Sequence, residues 1–575
     1  MAATASLLSV AAFSTPPTKA DSHIGGRSYG DKASFSGRAG RSKGSRNWIP
    51  LIRLQRSAEK RKIAGLLSND WNTLHTNKLL TKMQAKEDTM TDLENENDPL
   101  LLPNENEKSW DFQSVLFPFF FPALGGLLFG YDIGATSGSV LSLTSPELSG
   151  TTWYALSSVE TGLVVSGSLY GALLGSILAF NVADSLGRRR ELILSAVIYA
   201  VGSSVTGLAP NLAVLIGGRL VYGVAIGLAM HAAPCYISET SPSDIRGTLI
   251  SLKEALIVLG ILLGYLVGSL EISTVGGWRL MFGAAVPLAA VMGLGMLWLP
   301  PSPRWLLLRA VQGKLALSEA KERAGDALSK LRGTKKSSHI IDAELEETLS
   351  SVEAGAGGQG EITFGELFQG NLNRKALFIG GGLVFLQQVT GQPSVLYYAA
   401  SILQSAGFSA AADATNVSVI LGTFKLVMTC VAVLYVDKTG RRPLLIGGVS
   451  GIVLALLLLA AYYSFASGVP ALAVGALLLY VGSYQVSFGP ISWLMVSEVF
   501  PLRTRGKALS LTTLINFTAN ALVAFAFAPL QDLVGVSATF LLFGAVGIGA
   551  LFFVISQVPE TKGLSLEQIE AKLSE

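Results

Sequence analysis

Four ionisable residues lie where ionisable residues are costly. Asp132 interrupts an apolar run from Val115 to Leu141, and Arg219 stands early in another, Leu212–Tyr236. Glu254 and Lys425 sit in two more apolar runs. A charge inside a membrane span is rare, and by default it marks a proton relay or an ion path. A protonated Asp132 would release Arg219, and a deprotonated one would hold it. That exchange can bias a structure with two states. We therefore read Asp132 and Arg219 as a proton-coupling pair, with a permanent structural ion pair as the alternative. Glu254 and Lys425 are read as a second candidate buried pair, because either charge alone in lipid is expensive. Glu254 could instead lie near the membrane surface, about two turns from Arg246.

These residues need spans to hold them. Of 575 residues half are apolar and only 14% are charged, against about 25% in soluble proteins. A helix crossing the hydrocarbon core needs about 20 mostly apolar residues. Twelve such stretches follow Val115. The first six are Val115–Leu141, Val159–Ala183, Leu192–Ala209, Leu212–Tyr236, Leu249–Leu270 and Met281–Leu299. The second six are Ala376–Leu403, Val417–Val436, Leu444–Phe465, Ala471–Val496, Ala508–Leu530 and Ala538–Val558. The expected fold is an all-α membrane protein of two six-helix bundles, 111–300 and 376–558. A central loop with short helices, 301–375, joins them, and a tail, 559–575, follows. A formal charge of +3 gives no case for nucleic acid. Cys235 and Cys430 both fall in expected spans, which argues against a disulfide framework.

Two loop motifs recur. Asp184-Ser-Leu-Gly187-Arg188-Arg189 is matched by Asp437-Lys-Thr-Gly440-Arg441-Arg442. Glu239, Pro242, Arg246 and Gly247 are matched at the same spacing by Glu498, Pro501, Arg505 and Gly506. Both motifs return at nearly the same distance along the chain, which indicates duplicated, parallel halves, a transporter architecture. The basic loops share one side, which the positive-inside rule makes the side of insertion. Glu239 and Glu498 are expected to pair with Arg188, Arg189, Arg441 and Arg442 there, with Arg246 and Arg505 alongside, as a gate that breaks on opening. Solvated topology signals are the plainer alternative. Glycine ladders at 167, 171 and 175 and at 260, 264 and 268 are assigned to close helix packing, and His231 to packing.

The leader differs in kind. Residues 1–58 carry nine Lys/Arg and two acids, amid Ser, Ala and Gly. Residues 1–60 read as an organelle transit peptide of plastid rather than mitochondrial type; a disordered basic tail is the alternative. Residues 61–110 read as a disordered acidic linker, with eight acids and no base over Glu87–Glu107. Glu96 to Leu101 resembles an acidic dileucine sorting signal, which keeps a vacuolar membrane open.

The ordered motifs now resemble the sugar porter family of the major facilitator superfamily. They are Gly125-Gly-Leu-Leu-Phe-Gly130-Tyr-Asp132, Gly218-Arg219, Pro234-Cys-Tyr236-Ile-Ser-Glu239, Gln387-Gln388-Val-Thr-Gly391, Tyr397-Tyr398, Gly489-Pro490-Ile-Ser-Trp493 and Pro559-Glu-Thr-Lys-Gly563. Within it the chain is similar to plant xylose–proton symporter-like and vacuolar glucose carriers, including a plastid-targeted member. The resemblance implies alternating-access transport of a hexose or pentose with a proton, no cofactor, and Asp132 as the proton site. It implies sugar contacts at Gln387, Gln388, Trp493 and Asn516, and at Glu254, where the family has Gln. Amides suit sugar hydroxyls because they donate and accept, and Trp493 offers an apolar face to the ring. The alternative is that these groups join helices. Pro393 replaces an Asn, Phe517 a Trp, and Pro301 a Glu, so the gate is expected to lack one acceptor.

The implied location is a plastid membrane, inner envelope by preference. The implied partners are a sugar and the bilayer, and one chain suffices. Rival readings are a facilitative uniporter, which Asp132 argues against, and a transporter-like sugar receptor, which the short tail after Pro559 argues against. A carrier of another polyol or organic solute on the same scaffold is a third. No nucleotide-binding loop, nucleophile elbow or His/Cys metal cluster is present in the sequence, so no enzyme is expected.

Overall fold

The computed structural model describes residues 112–574, apart from 243–244, 333–337, 358–363, 466–467, 502–503 and 565. The expected transit peptide, acidic linker and dileucine-like segment lie outside the described residues.

Among the described residues the chain is helical, without strands. The first half comprises α1 (Phe112–Thr144), α2 (Ser158–Leu186), α3 (Arg188–Gly207), α4 (Leu212–Thr240), α5 (Arg246–Glu271), α6 (Gly277–Gly283) and α7 (Ala285–Trp298). The connector holds α8 (Pro303–Val311), α9 (Leu317–Arg332) and α10 (Ser338–Gly357). The second half comprises α11 (Asn371–Val389), α12 (Gln392–Tyr397), α13 (Ala399–Ser405), α14 (Ala411–Thr439), α15 (Arg441–Phe465), α16 (Pro470–Val486), α17 (Phe488–Val499), α18 (Arg505–Val534) and α19 (Val536–Gln557). A short tail helix, α20 (Leu566–Ser574), follows.

Among the described residues ten segments are long and apolar enough to cross a membrane, taking α6 with α7 and α16 with α17 as one each. The other two expected stretches correspond to α3, which opens on three arginines and Glu191, and to the broken series α11–α13. Gly391, at φ 94°, makes the break between α11 and α12, and Pro393 sits in the first turn of α12. Large apolar side chains such as Leu174, Val197, Leu294, Trp298, Phe465 and Phe552 are exposed. A belt of that kind faces lipid rather than water.

The glycine ladders do close packing. A Cβ on Gly171 would stand 2.1 Å from the Leu220 carbonyl of α4, and one on Gly260 2.1 Å from that of Leu127 on α1. A Cβ on Gly167 would meet the Cβ of Arg219 at 3.1 Å, so this glycine makes room for the buried arginine.

The halves meet through α1 with α12, α13 and α14, α2 with α18, and α5 with α14. Their named contacts lie toward the ends remote from the basic loops. Ser137 Oγ accepts from Ala400 N at 3.0 Å, the Tyr265 hydroxyl donates to the Leu396 carbonyl at 2.8 Å, and Ser269 bonds Asn416. At the opposite end the connector is tied to the first half: Arg332 donates to the Thr240 carbonyl at 2.7 Å and pairs with Glu344 at 2.6 Å.

Candidate functional site

Asp132 on α1 and Arg219 on α4 are both buried. Arg219 Nη1 lies 2.6 Å from Asp132 Oδ1, and Nη2 lies 3.3 Å from Oδ2. Ser168 on α2 completes the cluster: its hydroxyl donates to Asp132 Oδ2 at 2.7 Å and accepts from Arg219 Nη2 at 3.0 Å. Nη2 also reaches the Val165 carbonyl at 3.1 Å, and the guanidinium lies 5.0 Å from the centre of the Phe282 ring. A cavity of about 10 Å³, lined by Tyr131, Asp132, Thr206, Arg219, Tyr222 and Phe282, adjoins the pair. That is room for about one water. Two nitrogens of one guanidinium thus meet the two oxygens of one carboxylate, the forked, charge-assisted geometry of an Arg–Asp pair. Protonation removes the charge that Arg219 is paired with, leaving a buried cation in need of another arrangement.

The second cluster is neutral and lies in the other half. Gln387 and Gln388 end α11, both buried. Gln387 Nε2 donates to the Tyr484 hydroxyl and to the Phe488 carbonyl, each at 2.9 Å. A carbonyl can only accept, which sets the amide's orientation. Gln388 Nε2 donates to Asn516 Oδ1 at 2.7 Å. Both glutamine carbonyl oxygens are buried with no hydrogen-bond partner. Buried acceptors are normally paired, so these two are suited to ligand hydroxyls. Trp493 on α17 and Asn516 on α18 are half-buried. Phe517, in the place of the expected Trp, is buried and packs edge-on against Phe129 of α1, ring centres 6.1 Å apart, across the two halves.

The expected Glu254–Lys425 pair is not formed. Glu254 is 55% exposed at its side chain and pairs with its neighbour Lys253 at 2.8 Å. Lys425, buried on α14, donates to Gln485 Oε1 at 2.7 Å and lies 5.1 Å from the centre of the Tyr484 ring. A buried cation does not require a carboxylate: here an amide and an aromatic face serve.

The residues expected to form a gate pair across helix ends, within each half. Arg188 Nε meets Glu239 Oε1 at 3.2 Å, and Arg441 Nη2 meets Glu498 Oε1 at 3.1 Å. Arg189 donates to the carbonyls of Met296 and Leu297 at the end of α7, and Arg442 to that of Ile555 near the end of α19. Cations favour helix C-termini. Arg505 bonds the Phe500 carbonyl, and Arg246 is exposed. The side chains of Asp184 and Asp437 lie outside the description. Pro301 leaves the first half without an acceptor like Glu560, which receives the N–H groups of Arg441, Arg442, Thr561 and Lys562 at 2.9–3.1 Å.

Four participants escaped sequence reasoning: Ser168, Tyr484, Glu560 and Lys253. Ser168 and Glu560 left faint signals, one beside the Gly167–Gly171 ladder and one within a recognised tail motif. His231, taken for packing, lies 3.1 Å from Glu191, which is fully buried.

A twelve-stretch helical chain with a buried Asp–Arg pair in one half and an amide cluster in the other is a secondary transporter in class. The profile of the family described as "Sugar (and other) transporter" matches residues 119–573. The chain belongs to that family. It is 65% identical over 477 residues to the Arabidopsis thaliana protein "D-xylose-proton symporter-like 3, chloroplastic", covering 82% of this chain and 85% of the relative. It is 36% identical to the "D-xylose transporter" of Levilactobacillus brevis, covering 80% of this chain and 96% of that one. Among solved structures it is similar to the xylose transporter XylE of E. coli in a partially occluded inward-open conformation. That match has TM-score 0.66 and 27% identity over 79% of this chain and all of that one.

Proposed function

We propose that the chain carries one monosaccharide, a hexose or pentose, together with one proton between its two halves by alternating access. Asp132 takes the proton, and Arg219 reports its charge state to α4. Gln387, Gln388, Asn516 and Trp493 hold the sugar, with Glu254 exposed on the opposing half. The observation that carries this reading is the pair of orphaned amide oxygens in one half beside a buried, serine-bridged ion pair in the other.

In the deprotonated state Arg219 is clamped to Asp132. Protonation releases it, and the halves are then free to exchange conformations with the sugar between them. The proton is the coupling ion, no cofactor enters, and a single chain supplies both halves. The chloroplastic relative supports a plastid membrane, inner envelope, as the location. Import of the full chain into isolated chloroplasts, followed by fractionation, tests that placement; recovery on vacuolar membranes would refute it.

The function itself is tested by sugar uptake into proteoliposomes with and without a pH gradient, comparing native chain with Asp132→Asn. The expected result is gradient-driven accumulation that is lost in the variant while equilibrative exchange survives. Uptake indifferent to gradient and variant alike makes the chain a uniporter with a structural ion pair.

A further inference from the structure

Lys425 is the buried cation that this cycle leaves without a task. Its side chain is 4% exposed in the eighth span, α14, where a charge needs compensation. Of the charged groups on the packed fifth span, Lys253 and Glu254 are paired with each other. The tenth span meets it with no charge at all: Gln485 Oε1 at 2.7 Å and the face of Tyr484, with Nζ 5.1 Å from the ring centre.

Those two contacts lead directly to the candidate sugar ligand. An ammonium only donates, so Gln485 must turn its oxygen toward Lys425 and its Nε2 away. A Cβ built on Gly489 would lie 3.4 Å from that Nε2, placing the amine at the break between α16 and α17. Tyr484, clamped by the cation on its face, accepts from Gln387 Nε2, and Phe488, at the same break, takes the second bond from that amine. One ammonium therefore orients a tenth-span amide and a tenth-span phenol, and the phenol and the break hold Gln387 with its oxygen unpaired.

We propose that Lys425 is a positioning residue for sugar affinity: its positive charge presets Gln485 and Tyr484, and through Tyr484 the amide of Gln387. It touches neither sugar nor proton site. This rests on the reading of Gln387 as a sugar ligand.

The test measures KM and maximal exchange rate in proteoliposomes for Lys425→Met, Lys425→Gln and Lys425→Arg, with pH-driven accumulation as a second readout. Expected is at least a tenfold rise in KM for Met, a smaller rise for Gln and near-native KM for Arg. Maximal exchange should stay within about twofold and pH-driven coupling should remain. A native KM in Met, or a fall in rate with KM unchanged, overturns the proposal and leaves Lys425 a packing group. If Met fails to fold, Gln against Arg decides: a native KM in Gln overturns it. Gln387→Ala is the reference. If it too leaves KM unchanged, the sugar-site reading fails; if it raises KM while the Lys425 variants do not, only the present inference fails.

Discussion

The two halves are repeats of one design, yet they hold their buried charges differently. In the first half Arg219 is met by a carboxylate 2.6 Å away, with Ser168 bridging the two. In the second, Lys425 is met by the oxygen of an amide and a phenol ring. The loops differ in the same sense. Gly187 is covered by the Trp305 ring, whose atoms a Cβ would approach to 2.6 Å, whereas Gly440 is covered by the Glu560 carboxylate at 2.9 Å. A charge pair responds to a proton, and an amide lattice does not. On the proposed function, the half with the charge pair takes the proton and the half with the amides binds the sugar.

The largest effect should come from breaking the pair of the first half. Arg219→Leu leaves Asp132 buried without its cation, a loss of about 3–5 kcal/mol. Thermal unfolding in detergent should show it as a steep fall in folded yield, and Asp132→Asn as a lesser one. If Arg219→Leu is as stable as the native chain, the pair carries no structural weight and the contrast between the halves dissolves.

Next in size is the amide cluster. Gln387→Ala removes the acceptor together with the bonds to Tyr484 and Phe488, which at about 1–3 kcal/mol corresponds to roughly ten- to hundredfold in KM. Proton-driven coupling, read as the accumulation ratio at saturating sugar, should be unaffected. A variant that lost coupling but kept KM would reverse the assignment of the halves.

The loop difference is smaller. Glu560→Gln weakens four bonds to a partly exposed carboxylate and should lower stability by about 1 kcal/mol, or an apparent Tm by about 2 °C. Burial alone would raise the Glu560 pKa, but the backbone N–H groups of Lys562, Arg441, Arg442 and Thr561 outweigh it and hold it below the ordinary value. A depressed carboxyl stabilises the fold above its unfolded pKa of about 4.3 and loses that contribution as pH falls through the folded value. The native chain, but not Glu560→Gln, should therefore lose this increment in acid melts. Pro301→Glu in the first half should produce no matching gain, because Trp305 already covers that turn.

Smallest are the loop ion pairs. The side chains of these pairs are 11–16% exposed; at about 1 kcal/mol each, the upper end for pairs that water still reaches, Arg188→Gln and Arg441→Gln should each change exchange rates less than about fivefold. Arg441→Gln should be the milder, since Glu498 also receives the Thr561 hydroxyl at 2.6 Å. Equal effects would mean that the tail does not share in that pair.

Much of this is legible in the sequence. Apolar length located the spans, and repeated loops implied two halves. Asp132 and Arg219 could be paired because they are opposite charges in lipid-length runs. The partners of Lys425 were not legible. Choosing Glu254 assumed that charge seeks charge, but Lys253 lies next to Glu254 and outcompetes a residue on another helix. Ser168 and Tyr484 were equally hidden: a serine or tyrosine in a span is unremarkable until helix rotation brings it to a neighbour. Glu560 was visible as a motif, but its task depends on the start of α15 folding back onto the tail.

The proposed role of Asp132 also implies an upper bound on what the carrier can accumulate. On the proposed reading Asp132 carries a single proton per cycle, which makes the expected stoichiometry one proton to one sugar. A difference of one pH unit is then worth about 1.4 kcal/mol, a tenfold concentration ratio. Each 100 mV of membrane potential adds about 2.3 kcal/mol, close to fiftyfold. A steeper sugar gradient than the two together permit would require a second titrating group in the cycle, whatever the affinity of the amides opposite.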